Sequence, residues 1–309
     1  MPSTLTTILA LLALFYILGK SADLAIHNLR VIAERLGIGV FFLGLMMGIF
    51  TSFPELAIGI NALVTNVPNI ALGNLFGGIV VLFGLILGVN VFLQRKIKSE
   101  QNALAFGLAL LFLLLPMLLG INGTLSALEG LIIIAGYFLV LLVMYYRQPK
   151  TAEAPRRLRG AGLAKNFWLF LLGLVLVLLV ANLTINLTAG LLSQLPLSRF
   201  VIGVVIFAIG TNFPEIIIAL RAWQNSLNAL SLSTLLGSGL ANMLLVGIFA
   251  VMREFQLTID HSYYLLVAGT AIVLALLFVF YRTGRALKRA EGVVLVLAYL
   301  LFITLQIIW

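Results

Sequence analysis

A short motif occurs twice in this chain, each time inside an apolar stretch. Thr51-Ser-Phe-Pro-Glu55 recurs 160 residues later as Thr211-Asn-Phe-Pro-Glu215. A carboxylate in apolar surroundings is costly unless it is paired or binds a cation. Glu55 and Glu215 are the only acidic residues well inside apolar stretches, and they stand at equivalent places of a repeat. The pattern therefore predicts one site built from two copies of the same unit.

The composition places these stretches in a membrane. The chain is 62% hydrophobic and 9% charged, with a mean hydropathy of +1.19, which is typical of a polytopic membrane protein. It has no cysteine, which excludes disulfides and thiolate metal sites, and its two histidines lie near predicted loops. We expect no bound cofactor. The basic residues behind the net charge of +9 lie between apolar runs and not on one face, which indicates cytoplasmic loops and not a surface that binds nucleic acid. Membrane lipid is the expected surrounding.

The apolar runs predict an all-α fold of ten transmembrane helices. Each run is about 16–25 residues long, as a hydrocarbon core of about 30 Å requires. The predicted spans are 4–19, 38–64, 70–93, 102–120, 126–146, 167–190, 199–223, 229–251, 262–281 and 292–309. Residues 20–37 are more polar, and we expect them to form a cytoplasmic amphipathic lead-in to the second span.

The basic residues predict the orientation. If the N-terminus faces outward, only Arg199 and Arg253 lie on outer loops, which leaves 17 of the 19 Lys and Arg inside. Such an excess is typical of cytoplasmic loops. We therefore expect an integral protein of the plasma (inner) membrane, with both termini outside.

One long polar segment divides the chain. Residues 147–166 form a basic linker between an N-terminal half, 1–146, and a C-terminal half, 167–309. Each half has five predicted spans, so the halves enter the membrane in opposite directions. This inverted-repeat plan is typical of secondary transporters, whose site lies at the midplane where the halves meet. The repeated regions are about 38–93 and 199–251.

The prolines of the motif indicate what the site can bind. Proline inside a helix leaves the carbonyl four residues back without a donor, so Pro54 should free that of Phe50 and Pro214 that of Gly210. Each repeat would then offer a carboxylate, a hydroxyl and free carbonyls within about one turn. Oxygen ligands of this kind suit a hard cation such as calcium.

At these residues the chain resembles the cation/calcium exchanger superfamily, in particular the sodium/calcium exchanger type. Each repeat of that family carries G-T-S-x-P-E, then G-N-x-x-G-S-N-x-x-N/D on the next span. Here the segments are Gly48-Ile-Phe-Thr-Ser-Phe-Pro-Glu55 with Gly73-Asn-Leu-Phe-Gly-Gly-Ile-Val-Val-Leu82, and Ala208-Ile-Gly-Thr-Asn-Phe-Pro-Glu215 with Ser233-Thr-Leu-Leu-Gly-Ser-Gly-Leu-Ala-Asn242. The resemblance covers the whole length of the chain.

The resemblance implies a calcium site shared by the two repeats. Glu55 and Glu215 would ligate calcium directly, and Thr51 and Thr211 would add hydroxyl or backbone oxygens. Asn242 would lie beside the glutamates as a further polar group. Alternating access would come from the first and sixth spans sliding against the core.

The resemblance also implies two sodium positions. Ser52 and Asn212 would lie towards the cytoplasmic position, and Ala208 and Ser238 towards the outer one. From the residues alone, the hydroxyls could instead bond to a carbonyl of their own helix. The glycines of the motifs are equally typical of close helix packing.

The first repeat departs from the family pattern. Gly78 replaces the family serine, Ile79 the following asparagine, and Leu82 the last asparagine. In the second repeat Gly239 replaces an asparagine, and Phe50 stands where the first repeat of the family has a glycine. We therefore expect fewer sodium ions at the site and a steep dependence of exchange on pH.

The sequence predicts a secondary active antiporter, not an enzyme, which exchanges calcium for sodium. The inorganic cations are its substrates and membrane lipid its surroundings, and the sequence is compatible with a monomer. The alternative is a calcium/proton antiporter, since two glutamates can also take up protons. A membrane scaffold without transport stays open as a less favoured reading. An intramembrane hydrolase would need a Ser–Lys, Ser–His or paired aspartate constellation, which the spans lack.

Overall fold

The computed structural model describes residues 4–36, 40–64, 68–98, 102–147, 162–192, 204, 208–224, 228–284 and 286–308. The helices up to residue 147 are α1 Thr4–Leu36, α2 Val40–Thr51, α3 Phe53–Val64, α4 Pro68–Val80, a π-helical turn Val81–Ile86, α5 Leu87–Gln94, α6 Ala103–Leu119, a 3-10 turn Gly120–Asn122 and α7 Ala127–Arg147. The later helices are α8 Leu163–Leu192, α9 Ala208–Thr211, α10 Phe213–Gln224, α11 Asn228–Met252, α12 His261–Gly284 and α13 Arg289–Ile308.

Four short strands complete the described residues, and the rest of their regular structure is helical, in line with the all-α prediction. The strands are β1 Lys96–Lys98, β2 Thr124–Leu125, β3 Phe255–Gln256 and β4 Ala286–Lys288. β1 pairs with β4 and β2 with β3, both antiparallel. Each pair joins a connection of one half to a connection of the other.

Seven helical segments in the described residues are long and apolar enough to cross a membrane. They are 71–94, 103–122, 127–147, 163–180, 230–252, 261–283 and 289–308. The predicted second span, 38–64, is absent from this set because it consists of two twelve-residue helices, α2 and α3. Most of the linker, 148–161, and part of the predicted 199–223 span, 199–203 and 205–207, lie outside the described residues.

The prediction for residues 20–37 is wrong in one respect, because the described residues 20–36 are not a separate lead-in to the second span. These residues continue α1 as far as Leu36, so the helix is 33 residues long. Two of their polar side chains are buried and bond within the helix: the Ser21 hydroxyl donates to the Ile17 carbonyl at 2.8 Å, and the Asn28 amide to the Leu24 carbonyl at 2.8 Å. Lys20 and His27 are exposed. The segment therefore packs along α8 and does not form a separate surface helix.

The helix carrying each Pro-Glu motif is interrupted before the proline. α2 ends at Thr51 and α3 begins at Phe53, while α9 ends at Thr211 and α10 begins at Phe213. The prolines therefore stand in the first turn of a new helix, where a residue without an N–H is tolerated. We had expected them inside continuous helices, and the freed carbonyls of Phe50 and Gly210 stay a prediction.

The packing of the two halves is reciprocal. α2 packs against α11 as α9 packs against α4, and α7 packs against α11 as α13 packs against α5. The β1–β4 and β2–β3 pairs follow the same exchange. The apolar segment of α4–α5 is 83% buried and that of α11 is 78% buried, whereas those of α7 and α13 are 28% buried. α4, α5 and α11 are therefore the central helices, and their outer neighbours present apolar side chains to lipid.

Two glycines at equivalent positions of the repeats, Gly77 of α4 and Gly237 of α11, allow these central helices to approach the neighbouring backbone closely. A Cβ at Gly77 would lie 2.7 Å from the Val204 Cα, and one at Gly237 would lie 2.7 Å from the Leu45 Cα. Real Cβ atoms do not approach backbone so closely, so any larger residue would push the helices apart. These glycines serve the packing role that is typical of small residues between membrane helices.

The helices α1 and α8 bury their facing sides in a cluster separate from the main core. This cluster includes Ala22, Ile26, Phe170 and Leu174, and it touches the rest of the molecule through residues such as Ile218. A Cβ at Gly173 would lie 2.6 Å from the Ala25 nitrogen, so the two helices are in backbone contact. They form a paired unit against the outside of the core.

Candidate functional site

The two motif glutamates occupy equivalent places at the start of helices. Glu55 is the third residue of α3 and Glu215 the third residue of α10, and both side chains are fully buried. The N-terminal end of a helix stabilises a carboxylate by about 0.3–1 kcal/mol, up to about 2 when partly buried. Burying an ionised carboxylate costs several kcal/mol. The helix ends therefore offset only part of the cost, and a bound cation would offset the rest.

The interruptions before these helices are stabilised by side-chain bonds to the preceding turn. The hydroxyls of Thr51 and Ser52 both donate to the Gly48 carbonyl at 3.0 Å, and the Asn212 amide donates to the Ala208 carbonyl at 2.6 Å. These side chains cap the carbonyls at the end of one helix. All four predicted site residues here, Thr51, Ser52, Asn212 and Ala208, are buried.

The Ser238 hydroxyl lies between Glu215 and a serine of the opposite repeat. The Ser238 hydroxyl donates to Glu215 Oε1 at 2.9 Å, and the hydroxyls of Ser238 and Ser52 are 3.3 Å apart. Ser238 comes from α11, and Ser52 from the break between α2 and α3. The structure thus brings three predicted site residues of both repeats close together.

Glu55 is surrounded differently. The Thr211 hydroxyl lies near Glu55, as that of Thr51 lies near Glu215. Thr211 donates, however, to Asn74 Oδ1 at 3.0 Å. Among the described residues neither oxygen of Glu55 has a hydrogen-bond partner. The two carboxylates therefore differ: one is held by a serine, and the other is open to a ligand on both oxygens.

Several buried oxygens at this site have no hydrogen-bond partner within the described part of the chain. They are Glu55 Oε1, Glu55 Oε2, Glu215 Oε2, Asn212 Oδ1 and Asn242 Oδ1. A buried acceptor without a partner costs about 1–3 kcal/mol, more when charged. All five are hard oxygen atoms from carboxylates and amides, which are the ligands that calcium prefers. The donor set fits a hard cation that both repeats share.

Gly78 lies where the amides of the second repeat converge. A Cβ at Gly78 would be 2.9 Å from Asn242 Nδ2 and 3.3 Å from Asn212 Nδ2. The position equivalent to Gly78 in the second repeat is Ser238, and that equivalent to Asn242 is Leu82. The two amides therefore occupy the space beside the missing first-repeat side chain.

The prediction from sequence missed Asn74. Its side chain is buried, its Oδ1 accepts from Thr211, and its Nδ2 has no partner among the described residues. Asn74 lies in the G-N segment of the first repeat, but its counterpart in the second repeat is Thr234. A comparison restricted to residues that the two repeats share therefore does not identify Asn74.

A family model described as "Sodium/calcium exchanger protein" matches residues 6–146 and 165–308. The chain belongs to the sodium/calcium exchanger family. The family predicted from the paired Pro-Glu motifs is thereby confirmed, and membership of this family supports a role in cation exchange across a membrane.

Known relatives match along nearly the whole chain. The sodium/calcium exchanger MaX1 of Methanosarcina acetivorans is 25% identical and covers 97% of this chain and 98% of its own. The putative antiporter CaxA of Alkalimonas amylolytica is 27% identical over 91% of this chain and 92% of its own. A solved structure of the sodium-calcium exchanger NCX_Mj superposes with a TM-score of 0.81 over 96% of this chain and 98% of its own, at 22% identity. That likeness shows that this exchanger-family chain has the same fold.

Proposed function

We propose that this protein is an antiporter that exchanges calcium for sodium at a site formed by Glu55 and Glu215. The observation that carries the proposal is the set of five unpartnered buried oxygens contributed by both repeats. Two carboxylates supply a charge of about −2, which one calcium ion or two sodium ions balance. Since both cargoes use the same carboxylates, binding of one excludes the other, and exchange follows from that exclusion.

We also propose that the chain crosses the membrane ten times as two inverted five-helix halves, 1–146 and 167–309. The reciprocal packing of α2 on α11 and α9 on α4 supports an approximate two-fold relationship between the halves. The two exchanged strand pairs support it independently. On this plan the glutamates lie near the midplane, where broken helices typically bind the cargo of secondary transporters.

The paired helices α1 and α8 provide the moving part. α1 and α8 contact each other more extensively than either of them contacts any other helix. Their apolar cluster is also separate from the main core. Sliding of this pair would expose the glutamates to one side of the membrane and then the other. The relatives' names, a sodium/calcium exchanger and a putative antiporter, support the same kind of transport.

A second candidate, calcium/proton exchange, is favoured by one specific observation. The first repeat has Gly78 and Leu82 where the second has Ser238 and Asn242, so it lacks two side-chain oxygens for sodium. Protons need no further ligand beyond the glutamates. We propose that sodium coupling is of low stoichiometry and that protons compete at the same carboxylates.

Reconstitution into liposomes tests the proposal. Calcium uptake is measured while an opposing sodium gradient, a pH gradient, or neither is applied. Uptake driven by the sodium gradient at equal pH supports sodium exchange, and uptake driven only by the pH gradient supports proton exchange. Calcium uptake that neither gradient drives would overturn the antiport proposal.

A further inference from the structure

The two-stranded β1–β4 ribbon carries an unusual pair of charges. Lys96 of β1 is the direct partner of Lys288 of β4, and both side chains are exposed. The next pair, Ile97 and Leu287, is buried. Side chains directly opposite one another project from the same face of a ribbon. The two ammonium groups therefore lie on the same exposed face of the ribbon. Like charges directly opposite one another destabilise strand pairing.

The ribbon lies at the ends of three membrane segments. The segment 71–94 ends just before β1, the segment 261–283 ends just before β4, and the segment 289–308 begins just after β4. Three further exposed basic residues lie in the same connections: Arg95, Arg282 and Arg289. The patch formed by Arg95, Lys96, Arg282, Lys288 and Arg289, which we term the basic ribbon, is therefore placed where lipid headgroups begin.

Two of these residues occupy positions that are unfavourable for their own side chains. Arg95 ends α5 with φ of 62°, in the left-handed region that usually takes glycine, and it is the only non-glycine residue with positive φ in the described ranges. Arg289 is the first residue of α13, at the positive end of the helix dipole, where a cation is disfavoured.

The described residues offer little internal compensation. Within them no carboxylate lies within 4.0 Å of a basic-ribbon side chain, and the ion pair between Arg221 and Asp23 lies elsewhere. Glu291 is close, but its Oε2 accepts from the backbone nitrogen of Lys288 at 2.6 Å. The Arg289 guanidinium lies over the Phe92 ring at 4.2 Å. The positive charge is therefore exposed on the protein surface without a paired carboxylate among the described residues.

The matching ribbon at the other strand pair shows that the fold does not require these charges. There Thr124 is paired with Gln256, and Leu125 with Phe255. A neutral pair thus serves the same structural role. Strand pairing alone therefore does not account for the two lysines.

We propose that the basic ribbon binds the phosphate of an anionic phospholipid headgroup, held between Lys96 and Lys288. Lysine binds phosphate as a point charge, and clustered basic residues beside membrane segments attract anionic lipids. A soluble phosphate compound would offer the same chemistry. The position at the ends of three apolar segments and the exposed Phe92 ring favour a lipid, whose acyl chains can lie along α5 and α13. This site is separate from the glutamates and does not depend on the ion that is exchanged.

The test compares two variants with equal loss of charge. Lys96→Gln with Lys288→Gln removes the paired charges, and the control, Lys20→Gln with Lys165→Gln, removes two exposed charges elsewhere on the same predicted side. The apparent Tm of each purified protein is measured in neutral detergent with added phosphatidylglycerol, phosphatidylcholine or inorganic pyrophosphate. A lipid at ten times its Kd should raise the Tm of the wild type by about 3 °C.

We expect phosphatidylglycerol to raise the Tm of the wild type and of the control variant, but not that of the ribbon variant. In phosphatidylcholine the ribbon variant should be at least as stable as the wild type, because the repulsion is gone. An equal rise in all three proteins would overturn the proposal, since it indicates general attraction of basic loops to anionic lipid. An equal rise with pyrophosphate would overturn the choice of a lipid.

Discussion

Ser238 donates a 2.9 Å hydrogen bond to Glu215, whereas Gly78, at the equivalent position of the first repeat, has no side chain to offer Glu55. The two glutamates of an otherwise repeated motif are therefore held unequally. One has a fixed orientation, and the other keeps both oxygens without a partner among the described residues. This inequality leads us to expect weak sodium coupling at a site that still binds a divalent cation.

Removing the Ser238 hydroxyl should weaken sodium coupling. Ser238 stands at the predicted outer sodium position, so Ser238→Ala removes an oxygen ligand. A loss of about 1.4 kcal/mol in sodium binding would raise the sodium concentration for half-maximal exchange about tenfold. Ser233→Ala is the matched control, because Ser233 lies on the same helix and its hydroxyl donates to the Leu230 carbonyl. Sodium titrations of calcium uptake in liposomes measure both. Equal effects of the two substitutions would show that the Glu215 bond has no special role.

Restoring oxygen ligands to the first repeat should strengthen sodium dependence. Gly78→Ser with Leu82→Asn adds a hydroxyl and an amide at the site, and the Gly78 Cβ would displace only the side-chain ends of Asn242 and Asn212. We expect the Hill coefficient for sodium to rise from about one in the wild type towards two or three in the variant. Sodium titration at fixed pH gives both values. A wild-type coefficient of about three would contradict the idea that the first repeat is depleted.

The Gly237 crossing should not tolerate a methyl group. Gly237→Ala places a Cβ 2.7 Å from the Leu45 Cα, and overpacking of this kind costs about 1–3 kcal/mol. Gly239→Ala is the control on the same helix, since its Cβ would meet the Phe83 ring at 3.0 Å and no backbone. Thermal unfolding in detergent should show a lower Tm for the Gly237 variant than for the Gly239 variant. The reverse order would mean that α2 and α11 are not so closely packed.

The basic asymmetry of the loops predicts that residue 155 faces the cytoplasm. The chain has no cysteine, so single cysteines can be introduced without removing native ones. In intact cells a membrane-impermeant maleimide should label Ile121→Cys, which lies in an exposed turn predicted to face outside, and should spare Pro155→Cys until the cells are opened. Labelling of Pro155→Cys from outside would reverse the topology.

Much of the candidate site can be proposed from the sequence because its two carboxylates interrupt the apolar pattern at the same place in two repeats. Glu55 and Glu215 are buried, as that argument requires, and Ser238 lies beside one of them. The sequence locates the helix interruptions only approximately. The sequence points to the prolines, but the chain breaks one residue before each new helix, at Ser52 and Asn212, where a side chain can cap the preceding carbonyls.

Two features escaped the sequence for physical reasons. Residues 20–36 look like a surface segment by polarity, but Ser21 and Asn28 satisfy their own hydrogen-bonding groups on α1, so the helix can continue in a buried position. Asn74 contacts Thr211 across the two repeats, 137 positions away in the chain. Such a contact depends on how the halves pack, which no local pattern encodes.

The central claim is that both glutamates bind the exchanged cation, and single substitutions to glutamine test it most directly. Glu55→Gln and Glu215→Gln each reduce the site charge to about −1, which is too little for a dehydrated divalent cation, while neutralisation lowers the cost of burial. Glu254→Gln, at an exposed loop residue, is the control. The measurement is radioactive calcium uptake by liposomes containing equal amounts of folded protein. We predict uptake at the level of empty liposomes for the two site variants and at the wild-type level for Glu254→Gln. Wild-type uptake by either site variant would contradict the account.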